Sequence, residues 1–264
     1  MKFGPLPETA KTPPCKTKIK LNLGNLQVSR RGFDLAGATA WQPDGKMNFK
    51  KRYAESLVFN GEMVVMGGYN QNQGWLDFVE KRSADGSFEV MSDWKLPRQI
   101  FDFCAVDMGN GKIMVLGGNI LNGIFDSADM DILDTTTNTW SSGPPMAKNR
   151  ATHDCVVTEW AGEQGVMVTG GCSNNCAYHL TDVSFFSFVT ETWTELPALN
   201  QGRMGHKMTI LNGKPTVIGG YDTSELSSIE EFDGTNWVER PERLPFATFV
   251  YGSPDVIPEK VGCA

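Results

Sequence analysis

Residues 62–68 read EMVVMGG, and the same shape returns as KIMVLGG at 112–118, GVMVTGG at 165–171 and KPTVIGG at 214–220. Each is a short apolar run, rich in Val, Ile and Met, that stops at a pair of glycines. Runs this short read as buried strands, too brief for a helix that must bury a whole face. The glycines then end the strand, where the backbone takes a positive φ or a second segment comes close. The first glycines, Gly67, Gly117, Gly170 and Gly219, are 50, 53 and 49 residues apart. That interval is the signature of a repeat architecture whose units cannot bury their faces alone.

Two further marks keep the period. A tryptophan follows each glycine pair (Trp94, Trp140, Trp193, Trp237), generally just after a turn such as Asp85-Gly86, Thr137-Asn138 or Asp233-Gly234. An arginine precedes each pair (Arg52, Arg98, Arg150, Arg203), with hairpin dipeptides Asn60-Gly61, Asn110-Gly111 and Asn212-Gly213 in between. Asn-Gly between apolar runs is a strong hairpin signal, because both central residues must accept φ > 0. Each unit therefore reads as four strands: one after the arginine, one ending in Gly-Gly, one alternating segment such as DMDILD or SIEEF, and one carrying tryptophan.

The recurring arginine, Asn-Gly turn, diglycine and tryptophan resemble the kelch repeat, with four copies over roughly Arg52 to Pro245. That resemblance implies an all-β, kelch-type β-propeller in which four-stranded blades stand around an axis. The whole chain, 1–264, is expected to form one propeller domain, with repeats at approximately 52–97, 98–149, 150–202 and 203–245. A closing blade is expected from 16–51 plus 246–264, giving five blades, with six as the alternative. In that reading Lys18–Leu23 supplies one strand of the shared blade and Phe246–Tyr251 its first strand, so the ends cannot part without breaking a sheet.

Six cysteines are read as three pairs. Cys15 and Cys263 flank the place where the shared blade lacks a hairpin turn and are expected to be bridged there. Cys172 and Cys176 could bridge within one loop, and Cys104 and Cys155 hold similar places in adjacent first strands. An even set of pairs favours an oxidising compartment, so secretion is expected, with the cytoplasm as the alternative. The N-terminus, Met1-Lys2-Phe3-Gly4-Pro5, lacks the apolar stretch of a signal peptide.

A net charge of -7 and a pI near 5.1 argue against a phosphate-binding surface of clustered Lys and Arg, so no nucleic-acid partner is expected. No apolar run approaches the ~18 residues of a membrane span, so membrane insertion is not expected either. No phosphate-cradling loop, H-E-x-x-H or G-x-S-x-G motif is present, and no cofactor or metal site is read from the residues.

Two surfaces carry candidate chemistry. Glu55, Asp102, His153 and His206 follow the four arginines and are expected at one mouth of the axial channel, where carboxylates and imidazoles would suit acid–base work. The second surface is the set of loops after the diglycines, with Tyr69, Asn119, Tyr221 and Asp222, joined by the arginines Arg52, Arg98, Arg150 and Arg203. Amides, aromatics and guanidinium groups on rigidly mounted loops suit recognition. The function expected is a monomeric binding protein that takes a protein, glycan or small polar ligand on one face. The alternative is an isomerase, lyase or cyclase working at the channel mouth, which the propeller fold permits but does not by itself support.

Overall fold

The computed structural model describes residues 31–32, 42–43, 46–120 and 126–249. Within them the chain winds four successive four-stranded antiparallel sheets, each pairing its strands in chain order. The first strands are Glu55–Phe59, Cys104–Gly109, Asp154–Trp160 and Lys207–Leu211. The second strands are Glu62–Met66, Lys112–Leu116, Glu163–Thr169 and Lys214–Ile218, so each quoted apolar run is indeed a strand. The third and fourth strands follow at Val79–Arg82 and Phe88–Val90, Met130–Asp134 and Thr139–Ser142, Val183–Ser187 and Trp193–Leu196, and Ile229–Phe232 and Trp237–Glu239.

The first strands stand beside one another in order, which makes the four sheets consecutive blades of a propeller. No helix among the described residues is long and apolar enough to cross a membrane. The core lies between the blades. Leu57, Val64 and Met66 of the first blade pack with Phe103, Ala105, Ile113 and Val115 of the second. The second and third blades meet through Met114, Leu116, Val166, Val168 and Phe186, the third and fourth through Met167, Phe185, Met208, Val217 and Phe232. The second strands are apolar on both faces because each is covered by its own blade's neighbours on either side.

The glycine pairs are the seams. Gly68 N–H donates to the Ile100 carbonyl of the next blade at 3.3 Å, Gly118 to Arg150 at 2.8 Å, Gly171 to Arg203 at 2.8 Å and Gly220 to Thr248 at 2.9 Å. Thr248 thus does for the fourth blade what Ile100, Arg150 and Arg203 do for the others, each four residues before a first strand. Phe246–Phe249, the described part of the expected first strand, forms no strand itself. The rest of that blade, with Lys18–Leu23, Cys15 and Cys263, lies outside the described residues, and so does its bearing on five blades or six.

Pairing around the seams also corrects the repeat register. Arg52 bridges Tyr69 as Ala151 bridges Cys172 and Met204 bridges Tyr221, while Phe101 pairs with Asn119. The position held by Arg150 and Arg203 is therefore Lys51 in the first blade and Ile100 in the second. Lys51 behaves accordingly: its ammonium is buried against Glu80 at 2.9 Å, as Arg203 is against Glu230 at 2.5 Å. Burial lowers the Lys51 pKa and the Glu80 carboxylate opposes that shift. Arg98 reaches Asp131 at 2.7 Å from two residues upstream of Ile100. The tryptophan column shifts too, since Phe88 pairs with Arg82 where Trp140, Trp193 and Trp237 pair with Leu133, Phe186 and Phe232. Trp94 follows in a 3-10 turn, edge-on to Phe59, and donates its indole N–H to Asn138 of the next blade at 2.9 Å.

Two cysteine pairs stand at bridging distance. Cys104 and Cys155 join the first strands of the second and third blades with Cα atoms 6.1 Å apart, and Cys172 and Cys176 close a loop with Cα atoms 4.6 Å apart.

Candidate functional site at the loop face of the propeller

First strands begin, and second strands end, on one face of the ring. Small two-stranded ladders rise there from three blades: Tyr69–Asn70 with Gly74–Trp75, Ile100–Phe101 with Asn119–Ile120, and Cys172–Ser173 with Tyr178–His179. At the centre of this face four residues are linked by backbone alone. Asp102 N–H donates to the Tyr53 carbonyl at 3.4 Å, Thr152 to Asp102 at 2.8 Å and Gly205 to Thr152 at 2.8 Å. All four have positive φ, of 58°, 54°, 50° and 55°, so each blade enters its first strand through the same left-handed step. The chain of amides ties successive blades together around the axis.

Asp102 is the one carboxylate in that chain. It keeps part of its surface open to solvent, yet burial pushes its carboxyl up to about 7, against a weak opposing hydrogen bond from Asn119 at 3.4 Å. Partial exposure together with strong desolvation describes a group recessed in a narrow mouth. Its proton is bound more tightly in the folded chain than in the unfolded one. Its contribution to stability is therefore full below about pH 4 and is lost as pH rises towards 7, after which it is flat. Asp102→Asn keeps the left-handed backbone, which Asn tolerates, and should flatten the slope of unfolding free energy between pH 4 and 7. Urea melts across that range would show it; an unchanged slope would count against the raised carboxyl.

Beside the mouth stands an aromatic group shared by the first two blades. Trp75 stacks on Phe101 with centroids 3.8 Å apart, while Tyr69 meets Trp75 edge-on at 4.9 Å and Tyr53 lies 6.3 Å from both Trp75 and Phe101. The exposed guanidinium of Arg52 lies over two of these rings, 4.8 Å from Tyr69 and 5.2 Å from Tyr53. Across the face, His179 Nδ1 lies 3.0 Å from Asp222, Gln201 donates to the same carboxylate at 3.2 Å, and Tyr221 stands edge-on to His179 at 5.6 Å. Hydrogen bonds from His179 and Gln201 hold the Asp222 carboxyl below the usual range.

Residues 33–220 match the KLHDC2/KLHL20/DRC7 Kelch-repeats domain. The chain belongs to the kelch-repeat family. Kelch-like protein 24 of Homo sapiens is 31% identical over 146 residues, covering 55% of this chain and 22% of that protein. Kelch domain-containing protein 10 of Xenopus laevis is 25% identical over 179 residues, 63% of this chain and 41% of that protein. The chain thus spans well under half the length of these relatives. Among solved structures, that of YjhT superposes with a TM-score of 0.60 at 16% identity, covering 76% of this chain and 72% of that one. At that identity the likeness is one of fold.

The kelch register separates the residues singled out from the sequence. Ala54, Phe103, His153 and His206 are equivalent, since these are the residues against which the second glycines Gly68, Gly118, Gly171 and Gly220 pack. His153 and His206 lie within the seams, buried. Burial, helped by the nearby Arg150 charge, pushes His153 down to about 3, against a backbone interaction with Leu116; burial and Arg203 hold His206 well below its ordinary value. His206 Nε2 lies 2.9 Å from Thr169 Oγ1. Both rings are neutral seam residues at pH 7. Glu55 is one position further on, at the first residue of its strand, and Asp102 one position earlier, at the mouth. The four therefore do not form one ring, since only two of them lie in the seams. Among the described residues no three His, Cys, Asp or Glu side chains converge as a metal site.

The arginines separate in the same way. Arg150 and Arg203 are buried, and each donates from Nη1 to the carbonyl of its own blade's first glycine, Gly170 at 3.1 Å and Gly219 at 2.7 Å. Arg98 is held by Asp129 and Asp131. Of the four, Arg52 is the one presented on the loop face. Tyr69, Asn119, Tyr221 and Asp222 all reach that face, as does Trp75 from the same loop as Tyr69, whereas Tyr53 and Phe101 were not singled out from the sequence. The signal that could have found them is the concentration of aromatics around the first strand entry and the loop after Gly68.

Proposed function

We propose that this kelch propeller is a binding module that captures a partner on the loop face, at the first and second blades. The observation that carries the reading is Arg52 held over Tyr53 and Tyr69 beside the stacked Trp75 and Phe101. Arginine, tyrosine and tryptophan dominate the energetics of protein interfaces because they bring large contact area with little rotamer freedom to lose. Here that chemistry is mounted on paired strands and needs no ordering on binding. Membership of the kelch family supports a binding role in general. A protein segment fits the mixed aromatic and guanidinium chemistry best, with a glycan or small polar ligand as alternatives, the chain acting as a monomer. The cysteine pairs support an oxidising compartment, so secretion belongs to the same proposal.

The test is selection of ligands from displayed peptides and a glycan array with the intact chain, followed by affinity measurement on variants. Arg52→Ala with Tyr69→Ala should weaken the selected ligands by about tenfold or more. Val189→Ser, at an exposed outer turn, should leave affinity unchanged. Equal binding by both variants would place the interaction elsewhere.

One observation favours a second reading. A recessed Asp102 that titrates near neutrality is suited to proton transfer, so an isomerase or lyase at the mouth would rest on Asp102 rather than on the buried histidines. Turnover that survives Asp102→Asn unchanged would remove it.

A further inference from the structure

Blade equivalence exposes an unbalanced charge. In the fourth blade Arg203 sends Nη1 to the carbonyls of Gly219 and Ser228, and Nη2 to Ser228 Oγ and to Glu230 Oε1 at 2.5 Å. The carboxylate is held from the other side by Asn200, whose backbone N–H donates to Glu230 at 2.7 Å and whose Nδ2 donates at 3.0 Å. The first blade repeats the arrangement with Lys51, Glu80 and Asn48, where Asn48 N–H donates to Glu80 at 2.7 Å. In both, the asparagine stands three residues before the cation.

The third blade keeps the cation and loses the other two members together. Arg150 Nη1 makes the same two contacts, to the carbonyls of Gly170 at 3.1 Å and Asp182 at 3.3 Å. Opposite it, the place of Glu80 and Glu230 is taken by Ser184, since Glu80, Glu230 and Ser184 pair with Val65, Val217 and Val168 of their second strands. The place of Asn48 and Asn200 is taken by Ala147. Arg150 is 1% exposed, and its Nε, like that of Arg203, has no hydrogen-bond partner, so the contrast between the two guanidinium groups lies in the carboxylate. Among the described residues no carboxylate forms an ion pair with it. Asp182 is bound by Lys148 and acts on Arg150 only through space. The neighbouring His153 is neutral. A buried cation needs a counter-charge, and two smaller side chains now border the spot where the sibling blades put one.

We propose that the third blade binds a small monovalent anion of the chloride class at Arg150, in the place where the first and fourth blades carry the carboxylates of Glu80 and Glu230. The ion accepts from the guanidinium and from Ser184 Oγ, and it acts as an exchangeable part of the blade. An ion bound only by the folded chain stabilises it according to its concentration.

Chloride and bromide are the probes. With the full chain at fixed ionic strength, replacing chloride by gluconate should lower the unfolding midpoint by about 2–4 °C. Ser184→Glu, which restores the sibling carboxylate, should unfold at the same temperature in both salts. Bromide-soaked crystals of the native chain should show an anomalous peak at Arg150 that the variant lacks. If Ser184→Glu folds poorly, Ala147→Asn with Ser184→Glu supplies the missing asparagine contact. An equal salt response in native and variant chains, or bromide-soaked native crystals with ordered water at Arg150, would overturn the proposal.

Discussion

Replacing Glu230 by alanine should destabilise the chain by about 3–5 kcal/mol, the cost of stripping one member from a buried pair. The Arg203 guanidinium and the Glu230 carboxylate are 0% and 1% exposed as side chains, so water cannot take over for either. The variant would strand the Arg203 cation and leave the Asn200 backbone N–H without its acceptor, while Asn200 Nδ2 keeps the Trp237 carbonyl at 2.8 Å. An exposed pair gives a useful contrast. Arg243 and Glu239 lie on the surface, and breaking such a contact is worth about 0–1 kcal/mol. Urea unfolding would read both, through a shift of midpoint at constant slope. Removing both members, as Arg203→Met with Glu230→Leu, should recover most of the loss, because no charge is then left unpaired. A Glu230→Ala chain within about 1 kcal/mol of the native one would mean that water reaches Arg203 after all.

That pair also shows where the sequence stops being readable. The diglycines could be read because their requirement is local and periodic: a strand must end where a neighbouring blade comes close. The arginine column was half legible. Arg150 and Arg203 are the seam residues, but the first blade fills their position with Lys51 and the second with Ile100. Matching by residue type therefore selected Arg52 and Arg98, one residue late and two residues early. What the position requires in the first and fourth blades is a long cation facing a buried carboxylate, and lysine meets it. Glu80 and Glu230 themselves look like solvent-facing residues of an alternating strand, and only the asparagine three residues before the cation hints otherwise. Phe88 hides in the same manner behind the more conspicuous Trp94. On the loop face Tyr69, Tyr221 and Asp222 were legible as loop residues of recognition type. The stacking of Trp75 on Phe101 was not, because it joins two blades whose register had first to be known.

The other large effect should come from the seam glycines. Gly117→Ala is expected to cost about 2–5 kcal/mol, from two separable causes. The first is backbone: φ at Gly117 is +59°, a left-handed conformation that costs an L-residue about 1–2 kcal/mol. The second is space, since a Cβ there would stand 2.7 Å from the Arg150 carbonyl, 2.7 Å from His153 Cε1 and 2.9 Å from Met146 Cε. Overpacking of this kind costs about 1–3 kcal/mol. Gly213→Ala isolates the first cause, because that hairpin glycine has φ +79° and nothing within 4 Å of its Cβ position. It should lose only the backbone share, and the difference between the two variants measures how tightly the second and third blades close. Adding His153→Ala to Gly117→Ala should soften the clash only in part. The histidine ring can be removed, but the Arg150 carbonyl belongs to the backbone and receives the Gly118 N–H across the same seam. If Gly117→Ala costs no more than Gly213→Ala, the blades are not in contact there. The glycine pair would then serve the turn alone.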